Sequence, residues 1–333
     1  MIEMGGEVIT PVTHLKAEDI RDLSAAQLAE KLAFCEAQQL TQMSDDRDGL
    51  WEAIQQSGEN AGPPLPWDLF DDVWGWRPGE LTLMAGPNNS GKSSLLSFMA
   101  LHYSRYGKVG MMSLEEPFPE QARRFLQQAW HQQEPNRSQF EQLCDFTHDR
   151  IFHYQHHGMV QAPRVYGCME AFRARGCNLV IIDNLQKCGV TEDLDQQRDF
   201  VNNVIGLATA MQLHVVVVHH TRKRSNGYHG RISSDDVRGS GAITDMAINT
   251  LLVERDFDRA AALQKKLRGE FLTPDEQDLL EEGCDITLWV QKQKFGTRWN
   301  GPIRLWTDAG MTYKDAPRGT VPALPLRPVR DEI

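Results

Sequence analysis

The sequence predicts an α/β protein built on a mostly parallel central sheet covered by helices on both faces. Three observations predict it. Mostly apolar runs of strand length, Leu81–Ala85, Val109–Leu114, Leu179–Ile182 and Val215–Val218, alternate with helical stretches. The first run leads into Gly86, Pro87, Asn88, Asn89, Ser90, Gly91, Lys92 and Ser93, which fits G-x-x-x-x-G-K-[ST], with Ser94 next. The third run ends on an acid, Asp183.

The runs indicate parallel strands because a strand buried on both faces has no solvated side, so its sequence is continuously apolar rather than alternating. Thr250–Val253, Ile286–Val290 and Ile303–Trp306 suit further strands or a hairpin at the edge of that sheet. Residues 1–62 form an acidic, mostly helical N-terminal segment or linker. There, Ser24-Ala-Ala-Gln27 is a capping-box signal, and Leu28, Leu32 and Cys35 follow on one helical face. That face suits packing on its own domain and docking on a neighbouring subunit equally well. The break Gly58–Trp67 marks the boundary to the main domain, 63–314. Residues 256–285 read as a charged insert of one or two solvated helices. The 315–333 tail, with Pro317, Pro322, Pro325 and Pro328, reads as extended or disordered.

Composition narrows the class. A chain of 333 residues accommodates one large α/β domain and a modest appendage. Apolar residues make up 41% and charged residues 24%, as in soluble globular proteins. No apolar run approaches the ~20 residues of a membrane span, and the N-terminus resembles neither a secretion signal nor a transit peptide. Six cysteines without a C-x-x-C pair argue against a disulfide framework or a zinc module, and make a reducing cytosol the expected compartment. The net charge is -11, and residues 1–66 hold twelve acids against four bases. Such a balance argues against a protein coated in nucleic acid, yet allows a narrow basic groove or channel.

The glycine loop carries a phosphate chemistry. Glycines let backbone N–H groups wrap an anion, Lys92 brings a positive charge to the β- and γ-phosphates, and the Ser93 hydroxyl is a Mg²⁺ ligand. Asp183, at the tip of a buried strand, would hold the same ion. Glu115 and Glu116 follow the second run directly, where a carboxylate can orient an attacking water; stabilising a helix N-terminus is the alternative. The stretch 222–231 carries four bases, Arg222, Lys223, Arg224 and Arg231, among glycines and one tyrosine. It suits a phosphate backbone, or simply solvent. His153, His156 and His157 lack matching carboxylates or cysteines and read as structural or surface residues.

The order of these elements, SLEEP, LVIIDN, VVVVHHTRK, VRGSGAI and KQKFGTRWNGP after the glycine loop, resembles the DnaB-like replicative DNA helicases. It is similar to the helicase domain of phage primase-helicases and of Twinkle, over about residues 65–314. The resemblance implies a RecA-like P-loop NTPase core that uses ATP and Mg²⁺. Glu115 then matches the residue that polarises water, and His220 the γ-phosphate sensor, with His219 as its alternative. Arg222, Lys223, Arg224 and Arg231 match a DNA loop, and Arg238 the segment between that loop and the ATP site. The family's trans-acting arginine finger falls where this chain has Lys294, with Arg298 four residues on, so either residue is a candidate. The resemblance further implies a homo-oligomeric, hexameric ring on single-stranded or forked duplex DNA, partnered by a separate primase or polymerase, with no membrane association. It leaves open a RecA- or KaiC-like ATPase without unwinding activity, and an ATP-binding replication accessory protein.

Overall fold

The computed structural model describes residues 47–48, 51, 54, 62–67, 70–71, 73–190, 193–222, 231–237, 241–308 and 311–316. The chain divides into two units, Met1–Gly58 and Glu59–Ile333. In the first, Arg47, Asp48, Trp51 and Ile54 are helical. The expected helix through Leu28, Leu32 and Cys35, the loop residues Lys223 and Arg224, Arg238 and the tail beyond Ala316 lie outside the described residues.

The second unit is organised by a nine-stranded sheet among the described residues, in the order β3-β2-β4-β5-β1-β6-β7-β8-β9. Its parallel part comprises β1 (Leu81–Gly86), β2 (Lys108–Ser113), β3 (Ile151–His153), β4 (Cys177–Asp183), β5 (His214–His220) and β6 (Asn249–Arg255). An antiparallel meander, β7 (Ile286–Gln293), β8 (Gly301–Thr307) and β9 (Tyr313–Lys314), extends it. One expectation is corrected here. The run around Thr250–Val253 is not an edge strand: β6 pairs in parallel with β1 and sits inside the sheet. Its residues Leu251, Leu252 and Val253 are fully buried, so both of its faces are covered.

The continuous apolar strands divide their side chains between two cores with a period of two. Met84, Leu179, Ile181, Val216 and Val218 pack on one face, against helix α1 (Lys92–Tyr103) and helix α2 (Phe118–Trp130). Leu83, Val180, Ile182, Val215 and Val217 pack on the other, against helix α4 (Ala162–Ala174) and helix α5 (Leu194–Met211). Between them in sequence lies α3 (Arg137–Thr147), and α6 (Gly241–Met246) follows. Helix α1 is apolar nearly all round because it is buried nearly all round. Residues 62–76 add Leu65, Trp67, Trp74 and Trp76 to the first core.

The charged insert forms two helices, α7 (Phe257–Leu267) and α8 (Pro274–Glu282). Asp256 caps α7, and Thr273 with Glu276 forms a capping box on α8. Arg259 binds them to the sheet: its Nε lies 3.0 Å from Asp285 Oδ1 and its Nη1 2.6 Å from the Leu279 carbonyl oxygen.

Candidate nucleotide site

Strands β1, β2, β4, β5 and β6 run in the same direction, so their C-terminal tips share one edge of the sheet, the edge where open α/β sheets bind ligands. The register sets the order along it. Gly86 stands beside His220, and Ser113 beside Asp183. Residues far apart in sequence therefore converge on a cavity of about 720 Å³.

The glycine loop builds one wall. A side chain at Gly86 would collide with the Val253 carbonyl oxygen, and Gly91 holds φ +90°, which a side chain would strain. Gly91 opens directly into α1, so the helix N-terminus points at the cavity. Lys92 lies over the loop, its Nζ donating to the carbonyls of Gly86 (2.9 Å) and Pro87 (2.6 Å). Burial lowers the Lys92 pKa, against the pull of Asp183 and Glu115. The Ser90 hydroxyl is buried without a hydrogen-bond partner among the described residues.

The opposite wall is acidic. Ser93 Oγ donates to Asp183 Oδ2 at 2.6 Å. Burial pushes the Asp183 carboxyl above its usual range, and the Ser93 hydrogen bond opposes that shift. Glu115 faces the cavity from the end of β2, with His220 Nε2 3.8 Å from its Oε1. The His220 imidazole, with the amide of Asn184, holds Glu115 below the usual carboxylate range, although burial acts the other way. Asn184 Nδ2 lies 2.7 Å from His220 Nε2. Glu116 has a different partner, an ion pair with Arg124 of α2. His219 is buried, at 1% exposure.

A buried hydroxyl hydrogen-bonded to a carboxylate, facing a lysine across a helix N-terminus, is a donor set that fits a hard divalent cation and a polyphosphate. Ser93 and Asp183 would hold the cation. Among the described residues there is no cluster of histidine, cysteine and acid side chains suited to a metal on its own, and the expected role of His153 is met by packing. The His153 ring lies 4.8 Å from that of Phe118 and 5.8 Å from that of Phe125.

The other expected residues lie elsewhere. Strand β7 runs antiparallel to β6, pairing Ile286 with Arg255 and Gln293 with Asn249. The turn carrying Lys294 and Arg298 is therefore at the opposite edge of the sheet, roughly 24 Å from the cavity at strand rise. Both side chains are exposed, and Lys294 Nζ sits 5.5 Å above the Phe295 ring. The basic stretch 222–231 is closed at its base: Thr221 bridges Val237, and Arg222 N donates to Asp236 O at 2.7 Å. The Arg231 guanidinium stacks 3.7 Å above the Trp289 ring, and Trp289 Nε1 donates to Glu254 at 2.9 Å.

Arg124, Arg255 and Asn184 escaped the sequence reading. Arg124 and Arg255 line the cavity, and Arg255 Nη1 reaches the Asn89 carbonyl at 3.5 Å. Arg255 had a signal: it ends an apolar run as Asp183 does, and placing that run at the sheet's edge concealed it. Asn184 directly follows Asp183 and is fully buried. Arg124 gives no sequence signal, because helix α2 presents other arginines and only the packing selects it.

The AAA domain family model matches residues 51–226 of the chain. Among solved structures, the chain is similar to "The Structure Of A DnaB-Like Replicative Helicase And Its Interactions With Primase", with a TM-score of 0.60 and 14% identity, over 88% of this chain and 72% of that one. It is also similar to a second structure, a helicase ATPase domain, with a TM-score of 0.63 and 14% identity, over 82% of this chain and 98% of that one. The fold is thus the RecA-like ATPase core of these helicases. No curated protein matches the chain. No helix among the described residues is long and apolar enough to cross a membrane.

Proposed function

The chain belongs to the AAA-domain family, and from that premise we propose that it is an ATP-dependent replicative DNA helicase, a hexameric ring that translocates on single-stranded DNA and unwinds duplex. The observation that supports this most is the convergence of Lys92, Ser93, Asp183, Glu115 and His220 on one cavity.

Each residue then has a task. The loop Gly86–Ser94 and Lys92 bind the triphosphate. Mg²⁺, held by Ser93 and Asp183, neutralises charge on the β- and γ-phosphates. Glu115, kept ionised by its neighbours, orients water for attack on the γ-phosphorus. Arg124 and Arg255 add positive charge from the same subunit. Lys294 and Arg298, exposed at the far edge, are offered to the cavity of the next subunit in a head-to-tail ring. His220 couples the γ-phosphate to the basic stretch, which begins two residues later. Arg222, Lys223, Arg224 and Arg238 contact the DNA backbone there, and Arg231 reaches it from its seat on Trp289.

The test is ATP turnover with and without single-stranded DNA, alongside strand separation on a forked duplex. The helicase reading expects stimulated turnover and separated strands. Turnover that ignores DNA, with the fork left intact, would leave a RecA-like ATPase without unwinding activity.

A further inference from the structure

The structure assigns a task to the charged insert: we infer that helix α7 forms one wall of a nucleoside subsite and tunes which nucleoside triphosphate the protein prefers. The inference rests on the ATPase reading above, because it extends the same site.

A second cavity, of about 290 Å³, adjoins the phosphate cavity, and the two share Gly91, Ser94 and Arg255. The sharing fixes the polarity of a bound nucleotide. Lys92, Asp183, Glu115 and His220 gather at the first cavity, which therefore holds the terminal phosphates. The chain of phosphates must leave past the first turn of α1, at Ser94 and Arg255, and the space beyond is the second cavity.

That second space is chemically unlike the first. Its walls include Leu263 from α7, Ile286 from β7 and Met311, apolar groups suited to the faces of a heterocycle. Ala260, Leu263 and Gln264 lie at i, i+3 and i+4, so α7 turns one continuous face toward the cavity. Gln264 is exposed there, and its side-chain amide makes no hydrogen bond within the described residues. An amide carries both donors and an acceptor, the equipment for reading a base edge.

The wall is held, not draped. Arg259, on the next face of α7, reaches Asp285 on the strand side and the Leu279 carbonyl on α8, and its side chain is only 11% exposed. Lys265 pairs with Glu276 across the two helices. These contacts explain why a solvated insert with a largely polar sequence stays beside the glycine loop.

The experiment uses the full chain and two ligands, ATP and inorganic tripolyphosphate, the second as a competitor without a nucleoside. Leu263→Asp changes a partly exposed position, so the fold is retained. It should raise the KM for ATP roughly ten-fold, more than it lowers kcat, and leave the inhibition constant of tripolyphosphate unchanged. Gln264→Ala should shift the ratio of KM values for ATP and GTP by about three- to ten-fold. If both variants keep the wild-type KM values while Lys92→Ala still abolishes turnover, the nucleoside subsite is wrong and the ATPase reading stands. If Lys92→Ala changes nothing, the ATPase reading fails and takes the subsite with it.

Discussion

The two edges of the central sheet are built from the same strands yet carry opposite chemistry. At the C-terminal edge of the parallel strands, acids, a lysine and two arginines enclose a cavity, and most of its polar groups already have partners within one chain. At the other edge, Lys294 and Arg298 project from a turn beside the half-exposed Phe295, and among the described residues the Lys294 ammonium has only that ring beneath it. An enclosed polar site next to a bare cationic turn is the arrangement expected if one copy completes another. A charge buried in a cavity needs its counter-charge at hand, whereas an exposed lysine or arginine remains hydrated until a partner takes it up.

The comparison can be broken most severely at the glycine loop. Lys92→Ala removes the only lysine lining the cavity among the described residues, and should lower ATP turnover by about 10³-fold or more in a phosphate-release assay. Turnover near wild type would mean that the edge is not catalytic. Removing both far-edge cations, Lys294→Ala with Arg298→Ala, should lower turnover by about 10²- to 10³-fold while ATP binding persists. Mixing those subunits with Lys92→Ala subunits should restore part of the activity, because each then supplies what the other lacks. A mixture no more active than its parts would confine the chemistry to single subunits. Glu115→Gln should cost about 10²-fold in kcat with little change in nucleotide affinity.

Smaller effects concern stability. Burial lowers the pKa values of His102, His153 and His214 to about 4 each. The native protein therefore binds fewer protons than the unfolded chain once the pH falls below the ordinary histidine value. Stability from these groups is complete above about pH 6.5 and is lost as the pH falls toward 4, by up to about 1.4 kcal/mol per pH unit for each. Denaturant midpoints at pH 7 and pH 5 should show the lower value at pH 5. Asp183 and Glu80, raised by burial, act in the opposite sense and soften the decline at its acid end. For the same reason Asp183→Asn should leave the nucleotide-free protein slightly more stable at pH 7, by thermal melting, even as it abolishes Mg²⁺-dependent turnover.

How much was legible follows from what each residue depends on. The glycine loop announces itself because its function needs a fixed spacing along a single stretch of backbone. Asp183 was legible because a buried strand that ends on an acid is unusual. Glu115 and Glu116 were a pair until the packing separated them: Arg124 takes Glu116, and His220 turns to Glu115. The two arginines of the cavity required knowledge of which strand neighbours β1, which local sequence does not contain.

Residue order alone was enough for the elements whose physics is local. These are the apolar period of strands buried on both faces, the phosphate loop, and the capping residues that start the insert's helices. Packing had to decide that β6 lies beside β1, that Lys294 and Arg298 stand at the edge away from the cavity, and that α7 walls the space next to the glycine loop. Those facts depend on strand order, which is settled by how two whole cores pack, so no single stretch of chain encodes them.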